Sequence, residues 1–128
     1  MKTTIMGLDM YAFSTKAELN TEVDFEEINI KPEEIHYWRK HPNLHGWMQA
    51  LYEYKGGKSD SFNGDCVVLN NIDLDNLEND IKEGNLPDTA GFFFGQSDGE
   101  EIEDDLEFVN KARTAIAEGK TVYYTSWW

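Results

Sequence analysis

Residues 36–48 read HYWRKHPNLHGWM, and Pro42 divides this stretch into two elements. Proline costs about 3 kcal/mol inside a helix but is well tolerated in the first turn. We therefore expect one helix to begin at Pro32 and to stop before Pro42, and a second helix to begin at Pro42. Apolar residues at helical spacing predict the buried face of that second helix: Leu44, Met48 and Leu51.

Outward from this stretch, strands and helices are predicted to alternate. Apolar and aromatic runs predict strands at residues 5–13, 66–70, 91–95 and 121–128. Helical spacing predicts two further helices, one that ends at Gly84 and one that ends at Gly119. These elements indicate an α+β fold: residues 1–128 as one small domain, with about four strands covered on one face by three to four helices. Two βαβ-like units favour a mixed sheet.

The chain is strongly acidic, with a formal net charge of −14 in 128 residues. Residues 1–64 carry 7 basic and 10 acidic groups, and residues 65–128 carry 4 and 15. Nucleic-acid backbones and anionic membranes both attract basic surfaces. We therefore expect neither a nucleic acid nor a membrane as a partner, whereas a basic protein partner is compatible with this charge.

The remaining composition favours a cytoplasmic protein. Cys66 is the only cysteine, so no disulfide can form within the chain, which suits a reducing compartment. Cys66 opens an apolar strand and is predicted to be an inert core residue. We expect no membrane helix, because no apolar run approaches about 20 residues. The first residues contain one lysine and no long apolar core, so we also expect no secretory signal.

Three basic residues are spaced for one helical face. His36, Arg39 and Lys40 fall at positions i, i+3 and i+4 if residues 32–41 form a helix. Three hydrogen-bond donors on one face can bind a phosphate or a carboxylate. The alternative is that these cations only pair with the abundant acidic groups.

Other motifs do not complete a site. His41 and His45 are four residues apart, but Pro42 separates them and no zinc-protease pattern accompanies them. The acidic run DGEEIEDDLE at residues 98–107 keeps a helical apolar period, which indicates a solvated helix face. The segment GFFFG at residues 91–95 lacks the pattern of a phosphate-binding loop. We therefore expect no metal and no cofactor.

Four ordered motifs carry a resemblance that spans nearly the whole chain: GLDMY (7–11), YWRKHPNLHGWM (37–48), LPDTAGFFFG (86–95) and YYTSWW (123–128). Together they resemble a family of small proteins from bacteria and tailed phages. Members are sometimes labelled phosphoglycerate kinase, but that kinase is a much larger two-domain enzyme, and this chain has no nucleotide loop. The resemblance assigns no role to the residues it points to: Tyr37, Trp38, Arg39, Lys40, His45, Trp47, Gly91 to Gly95, Ser126 and Trp127.

Donors and rings crowded into an acidic chain favour a binding module for a small anionic aromatic ligand, such as a nucleotide-like metabolite. The predicted ligand-binding residues are Arg39, Lys40, Asn43, His45, Trp47, Phe94 and Trp127. One alternative is an acidic interaction or inhibitor protein that acts between phage and host. A further alternative is an enzyme that uses His45 as a general acid or base.

Overall fold

Four strands form one sheet in the computed structural model, which describes residues 7–89 and 101–128. The described elements are β1 (Asp9–Thr15), β2 (Glu33–Arg39), α1 (Pro42–Tyr54), β3 (Cys66–Leu69), α2 (Asn71–Glu83), α3 (Ile102–Ala117) and β4 (Thr121–Trp127). The strands lie in the order β2-β1-β4-β3. The predicted α+β class is confirmed, with four strands and three helices in residues 7–89 and 101–128. The predicted strand at residues 91–95 lies outside the described residues.

The strands pair antiparallel at all three described junctions, so the expectation of a mixed sheet is wrong for this part of the chain. A single crossover helix returns the chain parallel to the strand it left. Here both α2 and α3 lie between β3 and β4. The chain therefore re-enters the sheet in the opposite direction.

The segment after Pro32 is a strand, which corrects the helix expected there. Residues 33–39 form β2, which pairs with β1 from Asp9↔Arg39 to Ser14↔Glu33. Proline is also tolerated at the start of a strand, and the aromatic residues of this segment favour a sheet. Because side chains alternate along a strand, His36 and Arg39 point to opposite faces. The three-cation helical face therefore does not exist.

The helices cover one face of the sheet, which we call the inner face. Met10, Trp38 and Tyr124 contribute from the strands, and Leu44, Leu77 and Phe108 contribute from the three helices. Each such side chain stabilises the fold by about 1.5–3 kcal/mol when it is fully buried. The predicted face of α1 is confirmed for Leu44 and Met48, which are fully buried, while Leu51 is partly buried.

The opposite, outer face is covered over only part of its area. Residues 16–32 connect β1 to β2 and supply Leu19, Phe25 and Ile30. These side chains pack over Cys66, Val68 and Tyr123, with Phe13 at the margin. This second, smaller core lies at the Phe13 end of β1, and in the described part of the chain it does not extend to the Asp9 end.

The carboxylate of Asp105 joins α3 to β2. Its side chain is 2% exposed. Oδ1 accepts a hydrogen bond of 3.0 Å from Trp38 Nε1, and Oδ2 lies 2.8 Å from His41 Nε2. A buried carboxylate is tolerated only when its oxygens are bonded in this way. The acidic run is thus not entirely a solvated face, because one of its members is a core residue.

None of the helices in the described residues has the length and apolarity to cross a bilayer.

Asp105→Asn should destabilise the protein by about 3 kcal/mol. Asparagine keeps the shape but offers one acceptor and one donor, so one of the two ring N–H groups loses its acceptor. Urea unfolding measures the change in the free energy of unfolding. A chelator is included so that trace metal ions do not bind to the acidic side chains and alter the result. Asp104→Asn is the matched control, because Asp104 is next in sequence but its side chain is 50% exposed. This substitution should lower the free energy of unfolding by less than about 1 kcal/mol. Equal losses in the two variants would contradict the buried role of Asp105.

Candidate functional site

Three strands place Arg39, Asp9 and Trp127 in one row on the outer face. Asp9 is the direct cross-strand partner of Arg39 on β2 and of Trp127 on β4. Direct partners point to the same face. Neighbouring strands lie about 4.8 Å apart, so the backbones at Arg39 and Trp127 are about 10 Å apart with Asp9 between them.

Two cations converge at one end of this row. The Arg39 guanidinium donates from Nη1 to Asp9 Oδ1 at 3.1 Å. A Cβ atom placed on Gly7 would lie 3.0 Å from Arg39 Nη2 and 3.2 Å from Lys40 Cε. Both long side chains therefore run past Gly7. A side chain at position 7 would require the ends of these two flexible side chains to shift.

Aromatic rings form the rest of this surface. Tyr11 lies directly opposite Tyr37, and their ring centroids are 5.3 Å apart. The Tyr37 hydroxyl donates to Asp9 Oδ1 at 2.6 Å, and this bond raises the pKa of Tyr37. Trp127 is 67% exposed. We call this surface the outer patch, and it consists of Asp9, Tyr11, Tyr37, Arg39, Lys40 and Trp127.

The structure divides the ligand-binding residues predicted from the sequence. Arg39, Lys40 and Trp127 belong to the outer patch, where Asp9 lies between Arg39 and Trp127. The others that are described belong to α1, on the far side of the sheet: Asn43, His45 and Trp47. Phe94 lies outside the described residues. The six predicted residues that the structure describes therefore do not line one common pocket.

The two α1 residues that flank His45 hold neighbouring segments of the protein. Asn43 Oδ1 accepts a hydrogen bond of 2.9 Å from the Thr89 backbone N–H. Trp47 Nε1 donates to Asp80 Oδ2 at 2.8 Å, which ties α1 to α2. Both contacts are within the fold, so they explain these side chains without a ligand.

His45 is fully enclosed on the inner face. Its Nδ1 lies 2.7 Å from the Tyr124 hydroxyl, and its ring centroid is 5.1 Å from that of Phe62. Burial penalises the charged imidazolium and lowers the pKa of His45 to about 4. At neutral pH this histidine is therefore an uncharged core residue.

His41 faces a cavity that the sequence did not predict. This cavity of about 180 Å³ lies among α1, α2 and α3, and it is lined by His41, Asn43, Ile81, Gly84, Leu86, Glu101, Ile102 and Asp105. The Asp105 contact orients the imidazole, and Glu101 Oε2 lies 3.7 Å from Nδ1. The position of His41 before Pro42 indicated a helix start, but no local signal paired it with an acid 64 positions away.

His36 belongs to a different cluster on the inner face. It can offer a ligand atom together with Asp104 and Glu107, all within 4.8 Å of one another. Lys111 adjoins this cluster, with Nζ 3.3 Å from His36 Nδ1. These are the residues that could hold a metal ion in the described part of the chain.

Cys66 lies beneath residues 16–32, and burial raises the pKa of its thiol to about 12. A thiol of this kind is not a nucleophile near neutrality.

Stability should fall as the pH drops from about 6.5 to 4, in part because of His45. The unfolded chain binds a proton at His45 near its ordinary pKa, whereas the folded chain binds it only near pH 4. The unfolded state therefore gains up to about 3 kcal/mol across this window.

An NMR titration of the His45 ring should give a pKa of about 4. His45→Gln, which can still bond to the Tyr124 hydroxyl, should remove this part of the pH dependence from urea unfolding curves. A His45 ring that titrates near 6.5 would contradict the enclosed site.

No protein-family model matches the chain, and neither a curated protein nor a solved structure is significantly similar to it. Functional conclusions for this protein therefore rest on its own geometry.

Proposed function

We propose that the protein is a binding module that holds a small, planar, anionic ligand on the outer patch. The observation that supports this most directly is the exposure of Trp127 in the same row as the Arg39 guanidinium. A single exposed ring is common on a protein surface, so the support lies in the combination of Trp127 with the Tyr11–Tyr37 pair and with Arg39 on one face of the sheet.

Stacking would supply the first part of the recognition. Trp127, Tyr37 and Tyr11 offer ring faces that are exposed or half-buried. Contacts between a base and an aromatic side chain contribute about 1–3 kcal/mol each. Because every nucleobase has such a ring face, stacking alone selects for planarity and not for one base.

The cations would supply the second part. Asp9 pairs with Arg39, and Glu34 adds a second carboxylate near Tyr11. Arg39 and Lys40 therefore concentrate positive charge at one end of the patch, in a chain with a net charge of −14. An anionic group beside Arg39 gains charge-assisted hydrogen bonds from the guanidinium. Asp9 also orients the guanidinium before a ligand arrives, which lowers the entropy lost on binding.

The dimensions favour a ligand of nucleotide size. The backbones at Trp127 and Arg39 are two strand spacings, or about 10 Å, apart, and the Trp127 ring lies over Gly64, so a ligand that contacts both residues must span about this distance or more. A nucleoside monophosphate has this extent, whereas a free base or inorganic phosphate reaches only one end. The patch is a sheet face and not a deep cleft, so we expect modest affinity.

The binding test uses AMP, GMP and UMP as probes, with adenosine and inorganic phosphate for comparison. Tryptophan fluorescence and calorimetry at low salt should detect the monophosphates, and adenosine and phosphate should bind at least 10-fold more weakly. Trp127→Ala should weaken binding about 10-fold through lost stacking. Arg39→Gln should weaken it by a similar factor through lost charge-assisted bonds.

Arg113→Gln is the matched control for charge. Arg113 pairs with Asp75 and Glu78 between α3 and α2, away from the outer patch, so its loss should leave binding unchanged. Binding that is the same in Trp127→Ala and in the unmodified protein would sink the proposal. A failure of every monophosphate to bind would do so as well.

A second candidate function is acid–base chemistry at His41. Asp105 contacts this imidazole and is itself held by Trp38, which is the arrangement of a histidine supported by a carboxylate. The ring also lines a cavity. His41 is therefore a better candidate than His45, which was the residue expected from the sequence.

A panel of esters and phosphoesters tests this second candidate. Any turnover should be lost in His41→Gln and retained in His45→Gln, because only His41 lines the cavity. Turnover that survives His41→Gln, or a panel with no turnover, argues against an enzyme of this kind.

A further inference from the structure

We propose that His36, Asp104 and Glu107 form a binding site for a first-row divalent metal ion such as Zn²⁺. Strand β2 places His36 on the inner face, towards α3. Asp104 and Glu107 are three residues apart on α3 and so share one face of that helix. One ligand atom from each of the three residues lies within 4.8 Å of the other two.

An independent observation at His36 points to a ligand. Its side chain is 4% exposed, and Nε2 lies 3.1 Å from Asp104 Oδ2. Despite this proximity, Nε2 makes no hydrogen bond with the residues that the structure describes. A buried polar atom without a hydrogen bond is destabilising and rare in folded proteins. A metal ion bound at Nε2 would satisfy it.

The donor set decides the class of metal. One imidazole and two carboxylates suit Zn²⁺, Mn²⁺ or Fe²⁺, whereas Mg²⁺ and Ca²⁺ prefer oxygen ligands alone. Three protein ligands leave at least one coordination position for water. Asp104 and Glu107 are 50% and 62% exposed, and Glu107 also lines an open cavity of about 450 Å³ between β2 and α3. An ion held here would therefore be reachable from solvent.

Lys111 weakens metal binding, because it favours the tautomer of His36 in which Nε2 carries the proton. Its ammonium lies 3.3 Å from His36 Nδ1 and can only donate, so Nδ1 accepts and the ring proton is on Nε2. Metal binding at Nε2 requires the proton to move to Nδ1, where it then needs an acceptor. Lys111 also pairs with Glu107 at 3.5 Å, but this is an exposed pair that can open easily.

This mechanism predicts that Lys111→Gln tightens metal binding. The glutamine Oε1 can accept a hydrogen bond from Nδ1–H, and the positive charge beside the metal is removed. Lys111→Arg keeps the charge and the donors, so it should resemble the unmodified protein. Lys82→Gln is the matched control, because Lys82 forms the same i, i+4 pair with Glu78 on α2 but adjoins no histidine of this cluster.

Calorimetry with Zn²⁺ on the full chain is the test. We expect one site, with affinity reduced at least 10-fold in His36→Gln and in Asp104→Asn and raised about 10-fold in Lys111→Gln. Lys82→Gln should change affinity less than 3-fold. Glu107→Gln should also weaken Zn²⁺ binding. Because Glu107 is exposed, this variant should fold, so it can test the site even if His36→Gln does not fold.

Mn²⁺ then locates the ion by NMR, through broadening of the His36 ring signals and of the first turns of α3. Binding of several Zn²⁺ ions that is insensitive to His36→Gln and Glu107→Gln would overturn the proposal. That result would show diffuse attraction to an acidic surface. An equal gain in Lys111→Gln and Lys82→Gln would reject the proposed role of Lys111.

Discussion

The buried carboxylate of Asp105 is the constraint on which much of this structure depends. A charge in the interior must have both oxygens bonded, and Trp38 and His41 provide those bonds from β2 and from the residue that precedes α1. Once they form, the first turn of α3 is held against the edge strand of the sheet. Because this turn is held in place, Asp104 Oδ2 lies 3.1 Å from His36 Nε2. The same contact leaves the cavity beside His41 among the three helices.

The two-residue period of β2 places alternate side chains in the core and on the outer patch, where we propose that a ligand binds. His36 and Trp38 point inward to the helices, and Tyr37 and Arg39 point outward. One strand therefore contributes to the closed core and to the outer patch at the same time. Among the described residues, segment 16–32 covers only one end of the outer face, and Tyr37 and Trp127 towards the other end are 43% and 67% exposed. The two proposals lie on opposite faces of the sheet for this reason, and each can fail without the other.

The three histidines show how environment sets chemistry. His45 is enclosed by rings and is uncharged near neutrality, with a pKa of about 4. His41 is oriented by an acid beside a cavity. His36 lies between an ammonium and two carboxylates. All three occur within ten residues of sequence, yet they meet three different sets of partners because the partners come from distant segments.

Local signals in the sequence determined the helix that begins at Pro42, the end of α2 at Gly84, the strand at the C-terminus and the α+β class. Caps, breakers and periodicity act within a few residues, so they can be read without the rest of the chain. Only the tertiary structure decided that β2 is a strand, that Asp105 is buried and that Arg39 meets Trp127 across Asp9. These outcomes depend on pairings between distant residues, such as Trp38 with Asp105 and Asp9 with Trp127, and such pairings are selected by packing of the whole fold, which no short segment specifies.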